Sequence, residues 1–168
     1  MVDDELARRG QNWLEQLLHL LGLSSTVRTE LNHPLTEGSC WLEIDDGQLT
    51  PDQIHTLIGQ DGAVLDSIQY LANTILNLGQ APDHQGAVTV ELSGYRLRRY
   101  EELKQIADQA VQQVRETGNE LELKSLSSAE RRQVHTILKQ YPDMATYSRG
   151  QEPDRRLVIR LAEGLSEI

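Results

Sequence analysis

The stretch that most restricts how this chain can fold is Ile58-Gly59-Gln60-Asp61-Gly62, a pair of glycines set between two amphipathic runs. Upstream, Thr50-Pro51-Asp52-Gln53 is a helix start, with Thr as N-cap, Pro at the first helical position and Gln at the third. That helix is short and runs to about Leu57. Downstream, Ala63, Val64, Leu65, Ile68, Leu71, Ala72 and Ile75 recur at helical spacing. A Gly-x-x-Gly loop thus joins two helices and delivers the start of the second. Glycine at both ends lets the backbone pass close to another chain, and a helix N-terminus offers free amides to a phosphate. Gly59, Gln60, Asp61 and Gly62 form the first candidate site.

Alternating segments flank this unit. In residues 39–45, Cys40, Leu42 and Ile44 share one face, and Trp41, Glu43 and Asp45 the other. Residues 86–92 supply a closing strand, and residues 25–31 an earlier one that Asn32-His33-Pro34 ends. Ahead of them, Leu6, Trp13, Leu14, Leu17, Leu18 and Leu21 mark the apolar stripe of a helix that Gly22 closes. Cys40 is the single cysteine and reads as a small core residue, so no disulfide framework exists within the chain.

Charge divides the 168 residues sharply. Residues 1–95 carry 3 Lys and Arg against 14 Asp and Glu, whereas residues 96–168 carry 13 against 12. A net charge of −10 therefore conceals a second part that holds nearly all the cations, and a polyanion partner remains open to it. A boundary near Tyr95 divides the chain into residues 1–93 and 94–168. The acidic start, the absence of a membrane-length apolar run and the lone cysteine lead to the expectation of a cytoplasmic protein without membrane contact.

In the second part, Tyr95-Arg96-Leu97-Arg98-Arg99-Tyr100 opens a long helix, with Leu103, Ile106, Ala107, Ala110, Val111 and Val114 inward, ending near Gly118. Cations in its first turn oppose the helix dipole, so their placement calls for a reason other than helix stability. Residues 120–123 alternate as a strand. Ser127-x-x-Glu130 is a capping box, and Val134, Ile137, Leu138 and Tyr141 mark the inward face of the next helix. Arg131, His135 and Lys139 stand four apart on a neighbouring face, a ladder suited to phosphates and base edges. Residues 144–148 and 155–161 form a hairpin carrying Tyr147, Arg149, Arg155 and Arg156, and a short tail follows Ala162.

The order strand, helix, Gly-x-x-Gly, helix, strand resembles a KH domain, a module that grips single-stranded nucleic acid through that loop. The additional helix and strand ahead of it resemble the bacterial type II arrangement. KH loops commonly hold Lys or Arg between the glycines; Gln60 and Asp61 depart from that pattern. Arg131-x-x-x-His135 resembles the single-strand-binding domain named for such a pair. Its matching pieces are Tyr95-Arg96-x-x-Arg99, Ser128-Ala129-Glu130-Arg131-Arg132-x-Val134-His135 and Thr146-x-Ser148-x-Gly150-x-Glu152-Pro153-x-Arg155-Arg156. A KH domain followed directly by this module resembles the bacterial Jag family, also called SpoIIIJ-associated or KhpB/EloR-type. Leu57-Ile58-Gly59, residues 65–71 and Asn73 are similar to its KH segment.

The resemblance implies an α+β chain of two small domains. The first is a type II KH domain, a three-stranded sheet with helices on one face. The second is an Arg-x-x-x-His domain, two helices on a small three-stranded sheet. It further implies a chain without the N-terminal Jag domain, a cytoplasmic single-stranded RNA binder (single-stranded DNA being an alternative ligand) linked to cell elongation and division, and a small single-KH partner protein or a homodimer. On this reading Arg131 and His135 are central, with Arg96, Arg99, Arg132, Arg155 and Arg156 on phosphates and Tyr147 a stacking platform. Neutralising about six phosphates corresponds to a log–log salt slope of about −4 on single strands. The competing reading is a scaffold whose KH half dimerises and for which nucleic acid is incidental. Neither a phosphate-cradling Walker loop nor a His/Cys metal spacing stands in the sequence, so no enzyme, cofactor or metal is expected.

Overall fold

The computed structural model describes the chain except residues 1–3, 32, 34, 36–37, 152 and 163–168. The strand break expected at Asn32 and Pro34, the motif residue Glu152 and most of the tail lie outside the described residues. Two compact units divide between Leu97 and Arg98. Tyr95 packs against the core of the first unit, so the opening of a helix that runs on into the second belongs with the first.

The first unit runs α1 (Asp4–Leu20), β1 (Val27–Glu30), β2 (Ser39–Ile44), α2 (Pro51–Ile58), α3 (Ala63–Asn77) and β3 (Ala87–Leu92). Its sheet has the order β1-β2-β3, with β1 antiparallel to β2 and β2 parallel to β3. Parallel neighbours need a crossover, and α2 and α3 supply it. Leu6, Leu14 and Leu18 of α1 and Leu65, Ile68, Ala72 and Leu76 of α3 share a core with Cys40, Leu42, Ile44, Val88, Val90 and Leu92. Gly10 permits close approach of α1, since a Cβ there would meet the Leu42 side chain at 3.0 Å.

One sequence expectation fails here: Leu21, placed on the stripe of α1, lies past the helix end and is 55% exposed. Trp41, on the face of β2 opposite Cys40, Leu42 and Ile44, is buried as well, and His33 stacks on it with ring centroids 3.7 Å apart. Cys40 is buried, and desolvation pushes its thiol up to about 11, which leaves it inert at neutral pH.

β3 is an edge strand, and α3 closes that edge with side chains. Asn77 accepts from the Gly86 amide and donates to its carbonyl at 2.8 and 2.9 Å. Asn73 does the same to Val88, both at 2.9 Å, and Gln69 accepts from the Val90 amide at 2.9 Å. Residues four apart on a helix meet alternate residues of a strand, so three amides stand where a fourth strand would pair.

The second unit contains the remainder of α4 (Tyr95–Thr117), then β4 (Leu121–Leu123), α5 (Ser128–Leu138), β5 (Met144–Arg149) and β6 (Arg156–Leu161). Its antiparallel sheet has the order β4-β6-β5. Leu103, Ala107, Ala110, Val111 and Val114 of α4 and Val134, Ile137 and Leu138 of α5 pack on Leu157 and Ile159. The capping box holds as expected: the Glu130 amide donates to Ser127 Oγ and the Ser127 amide to Glu130 Oε2. Arg115 forks onto Asp143 at 2.7 and 2.8 Å, tying α4 to the turn before β5.

Candidate nucleic-acid interface

The glycine loop is a turn closed upon its own unit. Gly59, Asp61 and Gly62 all have positive φ, at 72°, 53° and 80°. Any Cβ on Gly62 would collide with the Tyr95 ring, and one on Gly59 would lie 2.9 Å from the Val64 amide nitrogen. Gly62 is buried while Gln60 and Asp61 are exposed, so the loop shows solvent a carboxylate and no cation.

Arg96 belongs to this unit. Its guanidinium pairs with Asp66, donates to Gln69 Oε1 at 3.2 Å, and its Nε donates to the Val90 carbonyl at 3.1 Å. Just before α4, the carboxylate of buried Glu91 accepts from the Arg96 amide at 3.0 Å and from the Leu92 amide at 2.6 Å. Burial pushes the Glu91 carboxyl above the ordinary range, against those amide bonds, which pull it down. This arrangement is why a cation tolerates the first turn of α4: Glu91 answers the free amides, and Arg96 staples α3 to β3.

In the second unit, strand alternation sorts the hairpin residues onto two faces. Thr146 stands opposite Ile159 and Ser148 opposite Leu157, both core residues on the helix side. Tyr147 stands opposite Val158 and Arg149 opposite Arg156, on the other side. There an ionic mesh forms: Arg149 reaches Glu122 at 2.7 Å and Glu120 at 2.8 Å, Arg156 reaches Glu122 at 2.8 Å, and Tyr147 donates to Glu120 at 2.8 Å. Hydrogen bonds from Arg149 to Glu120, and from Arg156 to Glu122, hold both carboxyls below their ordinary range. Tyr147 and Arg156 therefore sit away from the helix face, with polar partners already in place. Arg99, on α4, donates to Glu130 at 2.7 Å and Glu102 at 2.8 Å. Burial works to depress its pKa, and the two carboxylates raise it above the ordinary value nonetheless.

On the helix side, a cleft of about 320 Å³ is lined by Arg131, Arg132, His135, the 146–148 stretch of β5, Arg155 and Leu157. Exposed His135 meets Thr146 Oγ1 through Nδ1, and its Nε2 has no partner among the described residues. Arg132 and Arg155 are exposed, and among the described residues neither side chain is paired to a carboxylate. Arg131, by contrast, is 6% exposed and donates to the carbonyls of Leu126 and Arg155 at 2.6 and 3.2 Å. The structure thus brings Arg131, Arg132, His135 and Arg155 together, with Tyr147 also lining the cleft while its hydroxyl is engaged by Glu120, and leaves Arg96, Arg99 and Arg156 elsewhere. Thr146 and Ser148, which flank Tyr147 on β5, join the cleft without having been selected as candidates.

Chemically, the cleft offers two guanidinium forks that no described carboxylate pairs, one imidazole nitrogen, hydroxyls and an apolar floor, a set that accepts phosphates and nucleobases. Among the described residues no group of His, Cys, Asp and Glu could hold a metal ion, and no helix is long and apolar enough to cross a membrane.

Comparison with known proteins matches residues 101–161 to the Arg-x-x-x-His domain, the family named for an Arg and a His with three residues between them, and the match covers the cleft. The chain is 28% identical over 158 residues to the RNA-binding protein KhpB of Clostridium symbiosum, covering 94% of this chain and 67% of that one. It is 34% identical over 113 residues to the Bacillus subtilis protein of that name, covering 66% and 53%. Against the Streptococcus pneumoniae serotype 2 protein it is 29% identical over 133 residues, covering 79% of this chain and 38% of that one. The chain therefore spans between about a third and two thirds of the length of these relatives.

Proposed function

We propose that the chain, which is similar to RNA-binding KhpB proteins and matches the Arg-x-x-x-His domain over residues 101–161, is a member of the KhpB (Jag) family and a non-catalytic binder of single-stranded RNA whose contact surface is the α5–β5 cleft. One observation carries this reading: Arg132, Arg155 and His135 converge on an open cleft with donors that no described carboxylate occupies. Arg132 and Arg155 take phosphates, and His135, oriented by Thr146, meets a base edge or a further phosphate. A cytoplasmic site of action and a regulatory role in cell elongation and division are parts of the same proposal. The test is fluorescence anisotropy of the full chain with a labelled 20-nucleotide oligo(U). Binding with a salt slope of about −2, from two or three neutralised phosphates, supports the reading. No binding at low salt overturns it.

A second reading is favoured by α3. Val64, Tyr70, Leu71, Ile75 and Leu78 are 42%, 72%, 46%, 45% and 76% exposed. Such a stripe suits a homodimer or a small single-KH partner, with RNA binding weak. Sedimentation of the wild type and of Leu71→Asp distinguishes the two. A monomer whose RNA affinity is intact removes the scaffold as the primary role.

A further inference from the structure

We infer that Arg131 is a positioning residue of the cleft and makes no contact with the strand; this rests on the RNA-binding reading above. Its side chain is buried, and one guanidinium nitrogen donates to two carbonyls from separate segments. Leu126 immediately precedes the N-cap Ser127 of α5, and Arg155 immediately precedes β6. Arg131 therefore ties together the two chain entries that form the cleft walls, one leading to Arg132 and His135, the other carrying the Arg155 side chain. The bonded nitrogen belongs to a planar, permanently charged guanidinium that fixes the directions of both donated bonds, and the flexible ammonium of lysine reproduces this poorly. Carbonyls that already answer a buried charge also make its capture by phosphate expensive, because that exchange would strand them without a donor. The division of labour is then clear. Arg132 and Arg155 face solvent and can meet phosphate without breaking an internal ion pair to a described residue, while Arg131 fixes where they stand.

Nuclear magnetic resonance of the full chain with 15N-labelled arginine, titrated with a 20-nucleotide oligo(U), tests this directly. The side-chain Nε–H signals of Arg132 and Arg155 should move on titration, while that of Arg131 stays in place. Movement of the Arg131 signal as large as that of Arg155 overturns the inference. Arg131→Lys keeps the charge and loses the fork; it should displace the amide signals of Ser127 and Arg156 in the free protein and weaken binding at least tenfold. Retained affinity with undisturbed amides also overturns it. Arg155→Gln serves as the reference, expected to weaken binding while leaving the Ser127 amide unmoved. Failure of the wild type to bind sinks the RNA reading and this inference together, whereas wild-type binding with a mobile Arg131 signal sinks this inference alone.

Discussion

Arg96 in the first unit and Arg155 in the second are both candidates for phosphate contact in the sequence, and their surroundings are opposite. The Arg96 guanidinium is engaged by Asp66, Gln69 and the Val90 carbonyl; the Arg155 side chain has no described carboxylate. The same contrast separates the two surfaces. Around the glycine loop the backbone turns beneath Tyr95 and shows solvent Asp61, whereas the α5–β5 cleft is open and lined by Arg132 and Arg155, which no described carboxylate pairs. A motif names a backbone shape; the inventory of partners decides whether its donors can serve a ligand.

Removing the free cations tests the contrast hardest. Arg132→Gln with Arg155→Gln should weaken oligo(U) binding about 100-fold, from roughly 1.5 kcal/mol for each charge-assisted contact. Arg96→Gln should instead lower the thermal midpoint and leave affinity within about twofold, as expected for a residue whose bonds are internal. Equal losses of affinity from both changes, read by anisotropy, would erase the distinction between the units.

His135→Ala comes next, with a loss of about tenfold from one hydrogen bond to a charged partner, and Thr146→Val should lose less because it frees the imidazole without deleting it. A Thr146 variant weaker than the His135 variant would show that the hydroxyl itself is the contact.

Acid separates the two units in sign. Glu120 and Glu122 have lowered pKa values, so their stabilising contribution is present above the ordinary carboxylate value of about 4.3 and is lost as pH falls through the lowered values. Glu91 has a raised pKa, so its contribution is full below about 4.3 and is lost as pH rises through the raised value. Melting curves from pH 3 to pH 7 should show Glu91→Gln flattening the decline on the upper side, and Glu120→Gln with Glu122→Gln flattening the decline on the acid side. Matching profiles for the two variants would contradict the assignment.

The smallest effect belongs to Asp61→Lys. Charge reversal in the glycine loop should change oligo(U) affinity by less than about twofold if that loop stands apart from RNA, and tightening of tenfold or more would return the loop to the binding surface.

Much of the fold was legible because local rules and tertiary packing agree. Thr50-Pro51-Asp52-Gln53 and Ser127-x-x-Glu130 announce helix starts through bonds made within a single turn, and both capping boxes are present. The alternation of Cys40, Leu42 and Ile44 marks a buried strand face for the same reason. Alternation does not show that Trp41, on the opposite face, is buried too: His33 stacks on it, a neighbour that no periodicity reveals.

Of the candidate site, the sequence by itself determined that the cations gather after Tyr95 and that Arg131 and His135 stand one turn apart on α5. Which of those cations remain available was decided by the tertiary structure alone. Asp66, Glu102, Glu130, Glu122 and Glu120 claim Arg96, Arg99, Arg156 and Arg149. Two main-chain carbonyls claim Arg131, and Arg132 and Arg155 keep their faces to the solvent. The reason is physical: helical spacing fixes which side of its own element a charge occupies, while a counter-charge comes from whichever distant segment the fold brings within about 3 Å.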